Sequence, residues 1–248
     1  MHAQTRHCLI LLAALILQGS SAAQTPEVDV KDAPERYKDL IKRGNVSIIF
    51  ARSRNYDAET RFAIYLNYNY SYKSRPVRTE VGFAELITIS LSNLRVRIEN
   101  EIRLPPSLAN SDFWESRLLE HEFEHVRVNT DPRVFMLAET VLRTNSQIQI
   151  PTANPGMRAS RQQVNQVVEK RLQENVKICE DLVRKNNKLL DRITQHGITT
   201  LESEPNFFRR LYTKENLQEQ GFAAMPYVMA LLRNRRYTKY QKESYEPN

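Results

Sequence analysis

His121-Glu122-Phe123-Glu124-His125 decides how the rest of this 248-residue chain is read. The five residues spell H-E-x-x-H. On a helix that spacing puts the two imidazoles one turn apart on one face, where both reach a single metal ion, and zinc suits such a pair. Glu122 lies one position round the helix from the first histidine, placed to take a proton from a water at the metal rather than to bind the metal itself. The pattern needs a helix, and its flanks predict one. Asp112 followed three residues later by Glu115 is a capping-box-like start, and Trp114, Leu118, His121 and His125 then recur at spacings of four, three and four. The histidines therefore continue an inward stripe, where buried imidazoles need partners and a metal ion is one.

Upstream of the motif the pattern changes to strands. Residues 46–51 form a short apolar run, and Phe62, Ile64, Leu66, Tyr68, Tyr70 and Tyr72 alternate with smaller or polar residues. Residues 86–91 predict another strand. Leu94, Val96, Ile98, Ile102 and Leu104 alternate with charged residues, giving a strand with one face in water that ends at Pro105-Pro106. Before these, Asp32, Pro34 and Glu35 open a short helix that buries Tyr37, Leu40 and Ile41 and stops at Gly44. The class expected is α+β: a small antiparallel sheet of three or four strands, then the motif helix.

Downstream, Pro132 breaks the motif helix near residues 129–132, and a second helix carries Val134, Leu137, Val141 and Leu142. Residues 151–156 read as a loop. From Ser160, boxed with Gln163, a helical stripe runs to Gln195 and stops at Gly197, about 50 Å of helix at 1.5 Å per residue. His196 stands at its end.

The first 23 residues read as a secretory signal: Arg6 in a short basic lead, an apolar run over 8–17, and Ser21-Ala22-Ala23 before a cleavage point at Gln24. The run of about ten residues is half of what a membrane-crossing helix needs, so an uncleaved anchor is the weaker reading and no transmembrane segment is expected after cleavage. The chain is thus expected to be secreted or periplasmic. Cleavage removes His2 and His7, and the mature chain keeps three histidines, His121, His125 and His196. Cys8 leaves too, so Cys179 has no intrachain disulfide partner and reads as a small buried residue on the long helix. The domain division expected is 1–23 signal, 24–200 metal-site domain, and 201–248 a helical extension with a basic tail. That tail, with Arg233, Arg235, Arg236, Lys239 and Lys242, accounts for much of the +7 net charge and suits weak contact with an anionic surface, not specific nucleic-acid binding.

The order of a strand ending Leu104-Pro105-Pro106, a tryptophan-led helix with Glu120-His121-Glu122-Phe123-Glu124-His125-Val126, and a long helix ending Asp191-Arg192-Ile193-Thr194-Gln195-His196-Gly197 resembles a bacterial family of predicted secreted zinc-dependent proteases, otherwise catalogued as a domain of unknown function. The resemblance covers most of residues 45–200. It departs from the family at Leu190, where an aromatic residue is expected. The resemblance implies a zincin-like domain that binds Zn²⁺ and cleaves a peptide or protein substrate.

Three residues compete for the third ligand beside His121 and His125. Asp131 stands six residues after His125, but Val128 occupies the place where a glycine would turn the chain back. Glu139 needs a tight helical hairpin. His196 has the nitrogen donor, the loop position and the family-like motif, and is favoured; Asp191 or Asp131 then orients an imidazole. The alternative to a peptidase is a non-catalytic secreted binding or structural protein whose histidine cluster holds a closed metal or none. N-terminal sequencing of the exported protein should return a chain starting near Gln24; a retained Met1 would restore His2 and His7 as candidate ligands.

Overall fold

The computed structural model describes residues 8–10, 28–53, 57–109, 112–201 and 204–245. In chain order its elements are β1 (Cys8–Ile10), α1 (Glu35–Gly44), β2 (Val46–Phe50), β3 (Glu59–Thr79), β4 (Gly82–Leu104), α2 (Arg117–Asn129), α3 (Pro132–Thr144), β5 (Gln147–Thr152), α4 (Arg161–Thr194), α5 (Phe207–Arg210), α6 (Lys214–Glu219), α7 (Met225–Leu232) and α8 (Arg235–Tyr245). The expected signal cleavage point lies outside the described residues; of that segment, β1 pairs antiparallel with residues 66–68 of β3.

The sheet is built on β4. One side of β4 pairs antiparallel with β3 along a long hairpin, and the other side takes β2 at one end and β5 at the other. The class is α+β, as expected, but the sheet is mixed rather than antiparallel. β2 follows α1, which reverses the chain, and so enters parallel to the end of β4, with Val46 opposite Asn100 and Phe50 opposite Leu104. The separate strands expected over 86–91 and 94–104 are one strand. Pairing steps from Asn69↔Ser92 to Asn67↔Arg95, so β4 carries one extra residue there, with Asn93 left-handed at φ 53°. A bulge of this kind shifts the inward set by one position: Ile87 and Ile89 are buried before it, Ile98 and Ile102 after it. That change of phase is what splits the alternation in the sequence. β5 includes Pro151, expected in a loop; the residue is accommodated because β5 is an edge strand.

Ser116, not Asp112, caps the motif helix α2, accepting from the amide of Leu119, and the Asp112–Glu115 stretch is a separate 3-10 turn. The inward stripe of α2 also differs from the expected one. Leu119, Phe123 and Val126 enter a core with Tyr37 of α1, Ile48 of β2 and Ile102 of β4, where the rings of Tyr37 and Phe123 stack at 4.1 Å. His121 and His125 occupy another face, toward α4. The larger core joins Ile64, Leu66 and Ile98 of the sheet to Val134, Leu137 and Val141 of α3 and to the apolar side of α4. Phe207, Leu211, Leu217, Val228 and Tyr237 from the C-terminal helices enter that same cluster. Arg133, fully buried, anchors them: it pairs with Asp131, donates to the Phe208 carbonyl at 2.7 Å, and lies over the Tyr212 ring. No helix among the described residues is long and apolar enough to cross a membrane.

Gly44, read as a helix stop, is the last residue of α1, and the left-handed cap is Asn45 at φ 45°. Its lack of a side chain serves close packing instead: a Cβ would lie 2.9 Å from Val126 Cγ1 and 3.0 Å from Asn100 Nδ2. Gly44→Ala should therefore lower stability by about 1–3 kcal/mol in urea unfolding, an overpacking cost at the α1–α2 contact.

Candidate metal centre

Two consecutive turns of α2 present His121 and His125 to α4, their ring centroids 4.7 Å apart. Both rings point Nε2 at Asp191 of α4: Oδ1 lies 3.4 Å from His121 Nε2 and 3.1 Å from His125 Nε2. Donors 2.0–2.1 Å from a tetrahedral zinc stand about 3.3–3.4 Å from one another, so these separations are close to the edges of such a ligand set. His121, His125 and Asp191 are the group of metal-binding side chains that converge among the described residues. Each ring is held from behind by an acceptor. Glu124 Oε2 is 3.1 Å from His121 Nδ1, and Asn187 Oδ1 is 3.0 Å from His125 Nδ1. An acceptor at Nδ1 places a hydrogen there and directs Nε2 at Asp191, where a metal ion or, without one, a second ring proton bridges imidazole and carboxylate.

Glu122 is buried beside this group. Thr60 of β3 donates from Oγ1 to its Oε2 at 2.6 Å. Desolvation raises the Glu122 pKa, while His125, Thr60 and His121 pull it down without cancelling the shift. Asp191 titrates below the ordinary carboxylate range: burial opposes its charge, but the two imidazoles outweigh burial. These three ligand-type residues and Glu122 line a cavity of about 780 Å³ whose other walls include Asp57, Glu59, Phe62, Leu118, Arg184 and Lys188.

His196 reaches the same cavity from its rim. Gln195, His196 and Gly197 are three successive left-handed residues, at φ 50°, 56° and 86°, that reverse the chain after α4. The imidazole is 69 % exposed, with Nδ1 3.9 Å from Asp191 Oδ1. Asp191, expected to orient an imidazole, is thus the third group within reach of a shared ion, and His196 stands outside that cluster. A helix end explains the exchange: Asp191 is still on the rigid face opposite α2, whereas His196 lies past the turn. Gly197 packs directly on the His121 ring, where a Cβ would come within 2.8 Å of Cγ. Arg117 ties the turn to α2, donating to the Gly197 and Thr199 carbonyls at 3.1 and 2.6 Å while paired with Glu124.

The other two candidates are engaged elsewhere. Asp131 caps α3 through the Arg133 amide and gives both oxygens to the Arg133 guanidinium, at 2.8 and 2.6 Å. Glu139 pairs with Arg143 and with Arg236 of α8. Thr60, Asn187, Glu124 and Arg117 were not legible as site residues. Only Glu124 carried a local signal, three residues after His121 and hence on its side of the helix. Comparison of the chain with family models, with curated proteins and with solved structures finds no match.

Burial disfavours a charge on His121, but Asp191 and Glu124 more than offset it and raise its pKa from 6.5 to about 9. In chelator-treated protein the bound proton therefore stabilises the fold fully below pH 6.5, and that contribution is lost as pH rises through 9. Thermal melts between these limits should show a falling Tm for the wild type, with a shallower fall for His121→Asn. An unchanged slope in the variant would remove His121 as its source.

Proposed function

We propose that this protein is a secreted zinc-dependent peptidase of zincin-like fold, with His121, His125 and Asp191 as metal ligands and Glu122 as general base. The observation that carries the reading is the convergence of two Nε2 atoms and one carboxylate oxygen beside a buried glutamate in an open cavity. Two imidazoles and a carboxylate form a three-ligand set of the kind that leaves zinc a position for substrate. When bound there, zinc supplies a Lewis acid that polarises a carbonyl and brings the pKa of water to about 7.

The chain's own groups supply the rest. Thr60 fixes one oxygen of Glu122, leaving Oε1 to take the proton of the attacking water and pass it to the departing amine. The raised pKa of the buried carboxyl suits both halves of that transfer, since a base must also release its proton near neutral pH. Residues 59–65 of β3 pair with β4 on one side. Their other edge borders the cavity, and it can add an extended peptide as a further strand. The exposed His196, Arg184 and Lys188 on the cavity wall are donors for substrate carbonyl or carboxylate oxygens.

A second reading has one observation in its favour. Asp191 satisfies both imidazoles by hydrogen bonds, so the cluster is also complete as a metal-free element of a binding protein. Metal analysis and peptide hydrolysis separate the two. The peptidase should carry one zinc, lost in His121→Ala, His125→Ala and Asp191→Ala and retained in His196→Ala. Glu122→Gln should keep zinc and lose about 10²–10⁴-fold in rate. Zinc-free wild type, or full zinc content in Asp191→Ala, would overturn the assignment.

A further inference from the structure

Behind His125 a file of side-chain amides crosses the protein to the end of α1. Asn100 Nδ2 donates to the Gly44 carbonyl at 2.8 Å, and Asn129 Nδ2 donates to Asn100 Oδ1 at 2.7 Å. Asn187 Nδ2 donates to Asn129 Oδ1 at 2.7 Å, which leaves Asn187 Oδ1 3.0 Å from His125 Nδ1. Asn100 and Asn129 are buried. The direction of every bond is forced from the far end. A backbone carbonyl only accepts, so Asn100 turns its amino group to Gly44 and its oxygen to Asn129, and the same choice passes to Asn129 and Asn187. Turning any one amide over would set two donors or two acceptors face to face in the interior, where an unmade hydrogen bond is costly.

We infer that Asn100 and Asn129 are positioning residues of the metal centre: acting through Asn187, they hold the hydrogen of His125 on Nδ1 and keep Nε2 free for the ion. The inference rests on the metal-site reading above, and it extends the support of one ligand to α1, β4 and the C-terminal end of α2. His121 has a direct carboxylate for the same purpose. His125 has a neutral amide whose orientation is imposed from Gly44, so its partner is only as well directed as the file behind it.

Zinc titration of the full chain tests this. Asn129→Ala and Asn100→Ala should weaken zinc binding about 10–100-fold, the usual effect of removing an outer partner of a ligating histidine. Asn175→Ala breaks another buried amide contact in the core, that with Asn145 at 2.8 Å, and should leave zinc affinity within about twofold despite a similar loss of stability. Asn187→Asp supplies an acceptor that needs no orientation from behind. On that background Asn129→Ala should no longer weaken zinc binding, a rescue that a merely structural role would not give. Nitrogen-15 NMR of metal-free Asp191→Ala, which removes the competing carboxylate at Nε2, should find the neutral His125 ring with its hydrogen on Nδ1, and adding Asn129→Ala should shift hydrogen toward Nε2. Wild-type zinc affinity in both alanine variants, or a hydrogen on Nε2 in metal-free Asp191→Ala, would overturn the inference. Failure of the wild type to bind zinc would instead overturn the metal-site reading and leave the NMR result to decide the file.

Discussion

Two imidazoles buried on one face of a helix need polar partners, and much of this fold consists of elements arranged to provide them. α4 brings Asp191 to both Nε2 atoms, α2 supplies Glu124 to His121 from its own next turn, and α4 again gives Asn187 to His125. Without these contacts the rings would be unsatisfied groups in the interior, each costing about 1–3 kcal/mol. With them the rings are fixed in orientation and share a common direction. The same contacts that make the helix packing tolerable therefore align two Nε2 atoms on one carboxylate.

Apolar packing does the complementary work on the other side of α2. Phe123 stacks on Tyr37, and Leu119 and Val126 close over β2 and the end of β4, so the helix cannot roll without opening that core. α4 is fixed independently, through its apolar side against α3 and the sheet and through the C-terminal helices gathered around Arg133. The faces that carry the two histidines and Asp191 are thus held by two different cores. The position of Asp191 relative to the histidines is set by neither helix alone.

Burial also divides the acidic residues by role. Glu122 and Asp191 face the same cavity, yet one pKa is raised and the other lowered. Asp191 touches both imidazoles and is held as the anion; Glu122, deeper and tied to a neutral hydroxyl, is left more basic. Separation of this kind suits one carboxylate to holding a cation and the other to exchanging protons.

Local chemistry was readable from the sequence. The histidine spacing, the Ser160–Gln163 box and the break at Pro132 are rules of one helix or one turn, and the structure keeps all three, while the helix read as stopped by Gly197 ends at Thr194 with Gln195 as its left-handed cap. Readings that reached across the chain fared differently. The parallel pairing of β2 followed from where α1 delivers the chain, and the bulge at Asn93 disguised one strand as two. The third member of the converging group was the hardest case. His196 had the more obvious donor, but whether a residue near the end of α4 reaches α2 depends on the angular position of each side chain at the helix terminus and on the two cores that place the helices. Sequence determined which residues had metal-binding chemistry and which helices carried them. Only tertiary structure decided that Asp191 meets the two histidines, because distances between helices are set by packing that no local pattern encodes.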